Sequence, residues 1–152
     1  MRIAVACDHA GFPIKEAVIN TIHNAGHEAL DQGTFTTDTV DYPDYAQKAC
    51  RAIQQGRAER AILMCGSGIG MCIAANKMDG IYACVCHDVY SAHQGVEHDN
   101  MNALCLGGQI IGLALANEVV QAFLYAAFIR EDRFVRRFNK VVQMEKPGAS
   151  NA

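Results

Sequence analysis

The chain has 152 residues, 51% of them hydrophobic and 19% charged, with a net charge of −3. That length suits one domain with a sizeable core, and the mild acidity argues against nucleic acid or an anionic membrane as the main partner. Met1-Arg2 leads straight into Ile3–Cys7, too short for a signal-peptide apolar region, and the apolar stretch from Leu113 to Phe128 is interrupted by Asn117, Glu118 and Gln121. A soluble, cytoplasmic protein is expected. None of the seven cysteines forms a Cys-x-x-Cys pair, so zinc and thioredoxin-like chemistry are not indicated. Six of the seven read as small buried hydrophobes, with Cys84 and Cys86 sharing one face of a strand.

In chain order, Ile3–Cys7 reads as a buried strand and Pro13 to Ala25 as a helix, with proline in its first turn and Gly26 as its stop. His27–Asp31 is a second strand. Asp41-Tyr42-Pro43 opens a second helix that ends near Gly56. Ala61–Cys65 is the third strand and Ile69–Met78 the third helix; Ile81–Cys86 is the fourth strand, followed by a helix over Val89–Glu97. Ala103–Leu106 is the fifth strand. Then come an apolar helix from Leu113 to Phe128 and a basic one over Arg133–Met144. One domain over residues 1–145 and a flexible tail over 146–152 are expected. The apolar helix 113–128 asks for more cover than one small sheet offers, which hints at a dimer interface.

Five strands alternating with helices indicate an α/β fold with one parallel sheet covered on both faces. Ligands collect beyond the carboxyl ends of such strands. Polar and glycine-rich groups stand at those ends: Asp8-His9, Gly66 to Gly70, His87-Asp88 and Gly107-Gly108.

The sharpest feature is Cys65-Gly66-Ser67-Gly68-Ile69-Gly70, between a strand and a helix. Glycines there let backbone N–H groups converge on one anionic oxygen, and such a field also favours a thiolate. A dinucleotide-binding fingerprint would need glycine where Met71 stands, on the first strand and not the third. A cysteine phosphatase would want an arginine at the loop's far end, where Met71 and Cys72 offer none. A thiol base facing an oxyanion cradle suits abstraction of a proton beside a carbonyl. A glycine turn serving helix–strand packing explains the glycines but not the cysteine at the strand end.

Three further groups admit a functional and a plain reading. Asp8-His9 lines the same rim, or caps the next helix. His98, in His98-Asp99-Asn100-Met101-Asn102, could transfer protons to a sugar ring oxygen, or be an ordinary turn histidine. Arg133 and Arg137, four apart within a basic cluster with Arg130 and Arg136, present two guanidinium forks suited to a phosphate, or form a solvated basic face. His23 and His27 look like surface residues, and His93 is ambiguous.

Together these residues resemble the type B ribose-5-phosphate isomerase family, which includes galactose-6-phosphate isomerase subunits. The markers are Cys7-Asp8-His9-Ala10-Gly11-Phe12, Asp41-Tyr42-Pro43, the Cys65–Gly70 loop, Ile73-Ala74-Ala75-Asn76-Lys77, Tyr90-Ser91-Ala92 and His98. They run from Arg2 to about Met144. The resemblance implies a Rossmann-like three-layer sandwich acting as a homodimer or homotetramer with shared active sites, and no metal or organic cofactor. It implies an isomerase of a phosphorylated sugar in which Cys65 shuttles a proton between C1 and C2 through a cis-enediolate. The amides of Gly66, Ser67, Gly68, Ile69 and Gly70, with the Ser67 hydroxyl, would hold the enediolate oxygen. His98 from the partner subunit would help open the ring, with Asp8 near the ring hydroxyls. His9, Arg133 and Arg137 would bind the phosphate, and Tyr42 would line the pocket.

The chain departs from the family pattern at three places. Asp99 replaces an asparagine, and its charge would repel an anionic substrate unless turned away or protonated. Gln109 replaces an arginine, removing a charged hydrogen bond worth roughly 1–3 kcal/mol. One extra residue near Ile129–Asp132 is needed to bring Arg133 and Arg137 into register. These departures keep two other expectations beside a pentose phosphate: the same chemistry on a hexose, tetrose or branched sugar phosphate, and a non-catalytic partner subunit.

Overall fold

The computed structural model describes residues 1–145, so the tail expected to be flexible, 146–152, lies outside the described residues. The elements run β1 Arg2–Cys7, α1 Phe12–Asn24, β2 Glu28–Asp31, α2 Tyr42–Gln54, β3 Arg60–Cys65, α3 Ile69–Ala75, β4 Ala83–Val85, α4 Val89–Asp99, β5 Ala103–Gly107, α5 Leu113–Tyr125 and α6 Asp132–Met144. The five strands form one sheet in the order β2-β1-β3-β5-β4, all pairs parallel. Each strand returns through a helix, which is why the sheet is buried on both faces and its central strands read as continuous apolar runs.

Two cores follow from the alternation of side chains along β1, β3 and β5. Ile3, Val5, Ile62, Met64, Leu104 and Leu106 pack under α1, α4 and α5 with Val18, Val96 and Phe123. Ala4, Ala6, Leu63, Ala103 and Cys105 face α2 and α3, where Ala46, Ala49, Ala52, Met71 and Ala75 meet them. The second core is rich in alanine, so α2 and α3 approach the sheet closely. Each fully buried Ile or Leu contributes about 1.5–3 kcal/mol.

α5 finds much of its cover within the chain, its buried face (Ala116, Val119, Val120, Phe123, Leu124) lying against α1 and α4. Only Leu113, Leu115 and Tyr125 remain as exposed large apolar groups on it. It stops at Tyr125, not Phe128, because the Arg60 guanidinium donates to the Phe123 and Ala126 carbonyls and lies over the Phe123 ring. These are the unpaired carbonyls of a helix end, satisfied by a cation.

Two other elements are shorter than their sequence suggests, for one shared reason. α3 ends at Ala75, three residues before Met78, and β4 covers Ala83–Val85 alone. The Asn76 side chain turns back to bracket Ala83, accepting its N–H at 2.9 Å and donating to its carbonyl at 2.8 Å. Asn102 likewise accepts from Tyr82 N–H at 2.8 Å and donates to the Gly80 carbonyl at 2.8 Å. Side chains thus replace ladder bonds at the sheet edge, a device that blunts pairing with another chain.

At the opposite edge, Lys15 is 6% exposed. Its ammonium meets Asp31 at 2.8 Å and the Thr34 carbonyl at 2.7 Å, beneath the Phe35 ring. This pair pins the loop that leads from β2 to α2.

Candidate active site

The strand register brings Cys7, Cys65 and Gly107 to one rim, as the sheet's carboxyl ends require. Cys65 is 5% exposed. Gly68 N–H donates to its Sγ at 3.1 Å, and Gly68 adopts φ +80°, the left-handed region that favours glycine. That reversal turns the amide back toward the strand end it has just left. The Ser67 Oγ accepts from Ile69 N–H at 3.3 Å, which leaves the hydroxyl proton for another acceptor. Gly70 and Met71 lie in the first turn of α3, where amides have no intrahelical partner. A thiolate or an enediolate oxygen is what such a ring of donors can hold.

Asp8 and His9 flank this loop. Asp8 Oδ1 accepts from Ala10 and Gly11 N–H, each at 2.9 Å, so its carboxylate shapes the turn into α1 as well as facing the rim. Asp8 does not cap α1, whose N-cap is Gly11 without a side-chain bond. His9 Nδ1 accepts from Val40 N–H at 3.3 Å, so the neutral ring carries its proton on Nε2 and presents a donor there. The Tyr42 ring stands over Gly70, where an added Cβ would come within 2.9 Å of it. Gln109 sits over Gly66 and beside Ala10, with its own N–H on the Gly66 carbonyl at 3.0 Å. The chain thus gathers Asp8, His9, Tyr42, Cys65, Gly66, Ser67, Gly68, Ile69, Gly70 and Gln109 on one rim.

It does not bring the remaining candidates there. α4 runs two residues further than Val89–Glu97, so His98 and Asp99 close its last turn, before Asn100 at φ 54° ends it. Asn102 then enters β5 at Ala103, which pairs with Ala61 and Ala83 at the strands' amino ends. The length of β5, roughly 13 Å at about 3.3 Å per residue, separates that end from Gly107 and Cys65. His98 stacks on Phe134 of α6, ring centroids 4.2 Å apart, and receives or gives a hydrogen bond with Gln94 at 2.8 Å. Arg133 lies over the same Phe134 ring, 4.5 Å from its centroid, with Glu131 at 2.9 Å. Arg137 follows one turn later, exposed. Phe134 thus links His98 to Arg133 at the amino end of the sheet, away from Cys65. Asp99 lines a groove of about 450 Å³ with Tyr82, Cys84 and Met101, which Cys65 does not line.

Two other histidines have local partners. His93 pairs with Glu97 at 2.9 Å, and His27 faces the chain's amino group at 3.2 Å. His87 is the site-proximal residue that sequence reading marks only as polar; its ring meets Gly107. All seven cysteines are free, and Cys72 and Cys84 are not the buried hydrophobes expected. Burial pushes the Cys7 and Cys50 thiols up to about 11, so both stay protonated near neutral pH. Among the described residues no group of three or more His, Cys, Asp or Glu side chains is placed to hold a metal ion, and no helix is long and apolar enough to cross a membrane.

The parallel sheet thus carries, at its carboxyl rim, a buried thiol that accepts a loop amide. Comparisons with known proteins define the family. Residues 3–141 match the family model described as ribose/galactose isomerase. Ribose-5-phosphate isomerase B of Escherichia coli K12 is 40% identical over 127 residues, covering 84% of this chain and 85% of that protein. D-erythrulose-4-phosphate isomerase of Pectobacterium atrosepticum is 39% identical over 129 residues, covering 84% and 85%. The structure of Trypanosoma brucei type B ribose 5-phosphate isomerase superposes with a TM-score of 0.91 at 40% identity, covering 94% of this chain and 97% of that one. The chain belongs to the ribose/galactose isomerase family. It is a sugar phosphate isomerase, of the aldose–ketose class.

Proposed function

We propose that this chain interconverts D-ribose 5-phosphate and D-ribulose 5-phosphate, with Cys65 as the base. The observation that carries the reading is the Gly68 N–H on Cys65 Sγ at 3.1 Å, inside a loop of further amides. Sulfur takes the proton from C2 of the open-chain aldose; charge moves to the carbonyl oxygen as the cis-enediolate forms. The loop amides and the Ser67 hydroxyl receive that charge. The proton then returns to C1 while the proton of the C2 hydroxyl passes to the C1 oxygen, giving the ketose. His9 offers its Nε2–H to an oxygen at the anionic end, and the Asp8 carboxylate, held by two amides, orients a sugar hydroxyl. The chemistry asks for no metal or organic cofactor.

The histidine and arginines at the other end of the sheet enter this scheme through a second copy of the chain. His98 of the partner subunit would assist ring opening, and Arg133 and Arg137 of the partner subunit would grip the phosphate. The exposed apolar groups Ile69, Ile73 and Tyr90, near the Cys65 rim and on α3 and α4, support a homodimer or homotetramer covering that surface.

A second reading keeps the chemistry and changes the sugar. Gln109 puts a neutral amide over Gly66, and the relatives include an isomerase of a tetrose phosphate at nearly the same identity. A panel of phosphorylated aldoses and ketoses separates the two by kcat/KM. Ribose 5-phosphate recovered from deuterated water should carry deuterium at C2, and Cys65→Ala should abolish both exchange and isomerisation. Wild-type turnover in Cys65→Ala would show the base to be another group.

A further inference from the structure

Gly107 ends β5, and its partner across the sheet is Cys65. The bond that follows toward β3 belongs to the next residue, Gly108, whose N–H goes to the Cys65 carbonyl at 2.8 Å. Gly107 N–H faces the other way, toward β4, and β4 has stopped at Val85. Cys86 N–H still reaches the Cys105 carbonyl at 3.3 Å, but among the described residues no further strand carbonyl receives Gly107. A side chain does. The Nε2 of His87 accepts Gly107 N–H at 2.9 Å.

The Leu106–Gly107 peptide held in this way is the floor of the glycine loop. A Cβ on Gly68 would stand 3.0 Å from the Leu106 carbonyl carbon and 3.3 Å from Gly107 N. A Cβ on Gly107 would stand 2.8 Å from the Ser67 carbonyl carbon. On its far side Gly68 gives its N–H to Cys65 Sγ. Two hydrogen bonds, His87 to Gly107 and Gly68 to the sulfur, thus stand on either side of a packing so close that neither glycine has room for a β-carbon.

We infer that His87 is a positioning residue for the Cys65 loop: a neutral imidazole, protonated on Nδ1, clamps the Gly107 amide and so sets the surface on which Ser67 and Gly68 rest. The tautomer follows from the bond. Nε2 must keep its lone pair to accept, and the opposite tautomer would set N–H against N–H. His87 does not touch the reacting atoms. Its effect on turnover runs through the direction of the Gly68 amide, and it rests on the reading of Cys65 as the working thiol.

Two measurements test this. Long-range ¹H–¹⁵N spectra of the full chain should show His87 with an unprotonated Nε2 and a protonated Nδ1. In kinetics, His87→Phe keeps a ring and loses the acceptor; kcat should fall at least about tenfold with KM within about twofold. His87→Gln, whose amide oxygen can replace Nε2 as acceptor, should hold kcat within about threefold of wild type. A proton found on Nε2 overturns the inference, whether or not His87→Phe folds. So does wild-type kcat in His87→Phe, or an equal loss in the Gln and Phe variants. Failure of the underlying reading looks different: Cys65→Ala would keep turnover while the His87 tautomer stays as assigned.

Discussion

Gly68 turns its N–H onto Cys65 Sγ at 3.1 Å only because its own φ is +80°. The Leu106–Gly107 peptide fills the space that a β-carbon at Gly68 would need, so the residue is constrained both by backbone angle and by space. Replacing it tests the loop without touching the thiol. Gly68→Ala should cost about 1–2 kcal/mol of stability for the left-handed angle alone, read as a lower denaturation midpoint. Turnover at saturating substrate should fall further than that loss of folded protein explains, because the displaced amide leaves the sulfur.

The buried pair at the other edge of the sheet predicts a pure stability effect of opposite logic. Lys15→Met takes the ammonium from the Asp31 carboxylate and the Thr34 carbonyl, leaving Asp31 Oδ2 without its cation. The expected cost is about 3 kcal/mol in urea unfolding, since Asp31 keeps some solvent. Lys15→Met combined with Asp31→Asn should cost less than Lys15→Met alone. The second change removes the stranded charge while leaving an acceptor for the Gly33 N–H that Asp31 Oδ1 binds at 2.9 Å.

Asp88 predicts a pH dependence. Its Oδ1 accepts from Ser91 N–H at 2.7 Å at the start of α4, and that amide bond holds its carboxyl below the ordinary 3.8. A group whose pKa is lower in the folded state adds stability above its unfolded value and loses it as pH falls through the folded one. The melting temperature of Asp88→Ala should therefore lie below wild type at pH 7. The gap should close as pH drops below 3.8.

Much of the fold was legible because it depends on local pattern. The apolar runs of β1, β3 and β5, Pro13 and Pro43 in first turns, and the glycine loop after Cys65 each announce their element. What the sequence hid were side chains doing the work of backbone. Asn76 and Asn102 shorten α3 and β4, and Arg60 closes α5 from the far end of β3, because bonds between residues distant in sequence leave no periodic trace. The site was half legible. Residues at strand ends could be placed on one rim from topology alone. His98, read as standing just before the fifth strand, lies at the other rim as that order requires; only the helix end at Asp99 was missed, within the polar run 98–102. His87 is a single residue whose role depends on a strand stopping short, which no motif marks.

The proposed working site joins Cys65 of one chain to His98 of another, and mixing two damaged proteins tests this directly. Cys65→Ala and His98→Asn should each be inactive alone. Unfolded together and refolded as mixed dimers, they should recover about a quarter of wild-type turnover, since half the dimers are mixed and each holds one intact pair. No recovery from two well-folded inactive variants, or full activity in either one alone, would contradict the shared thiol–histidine site.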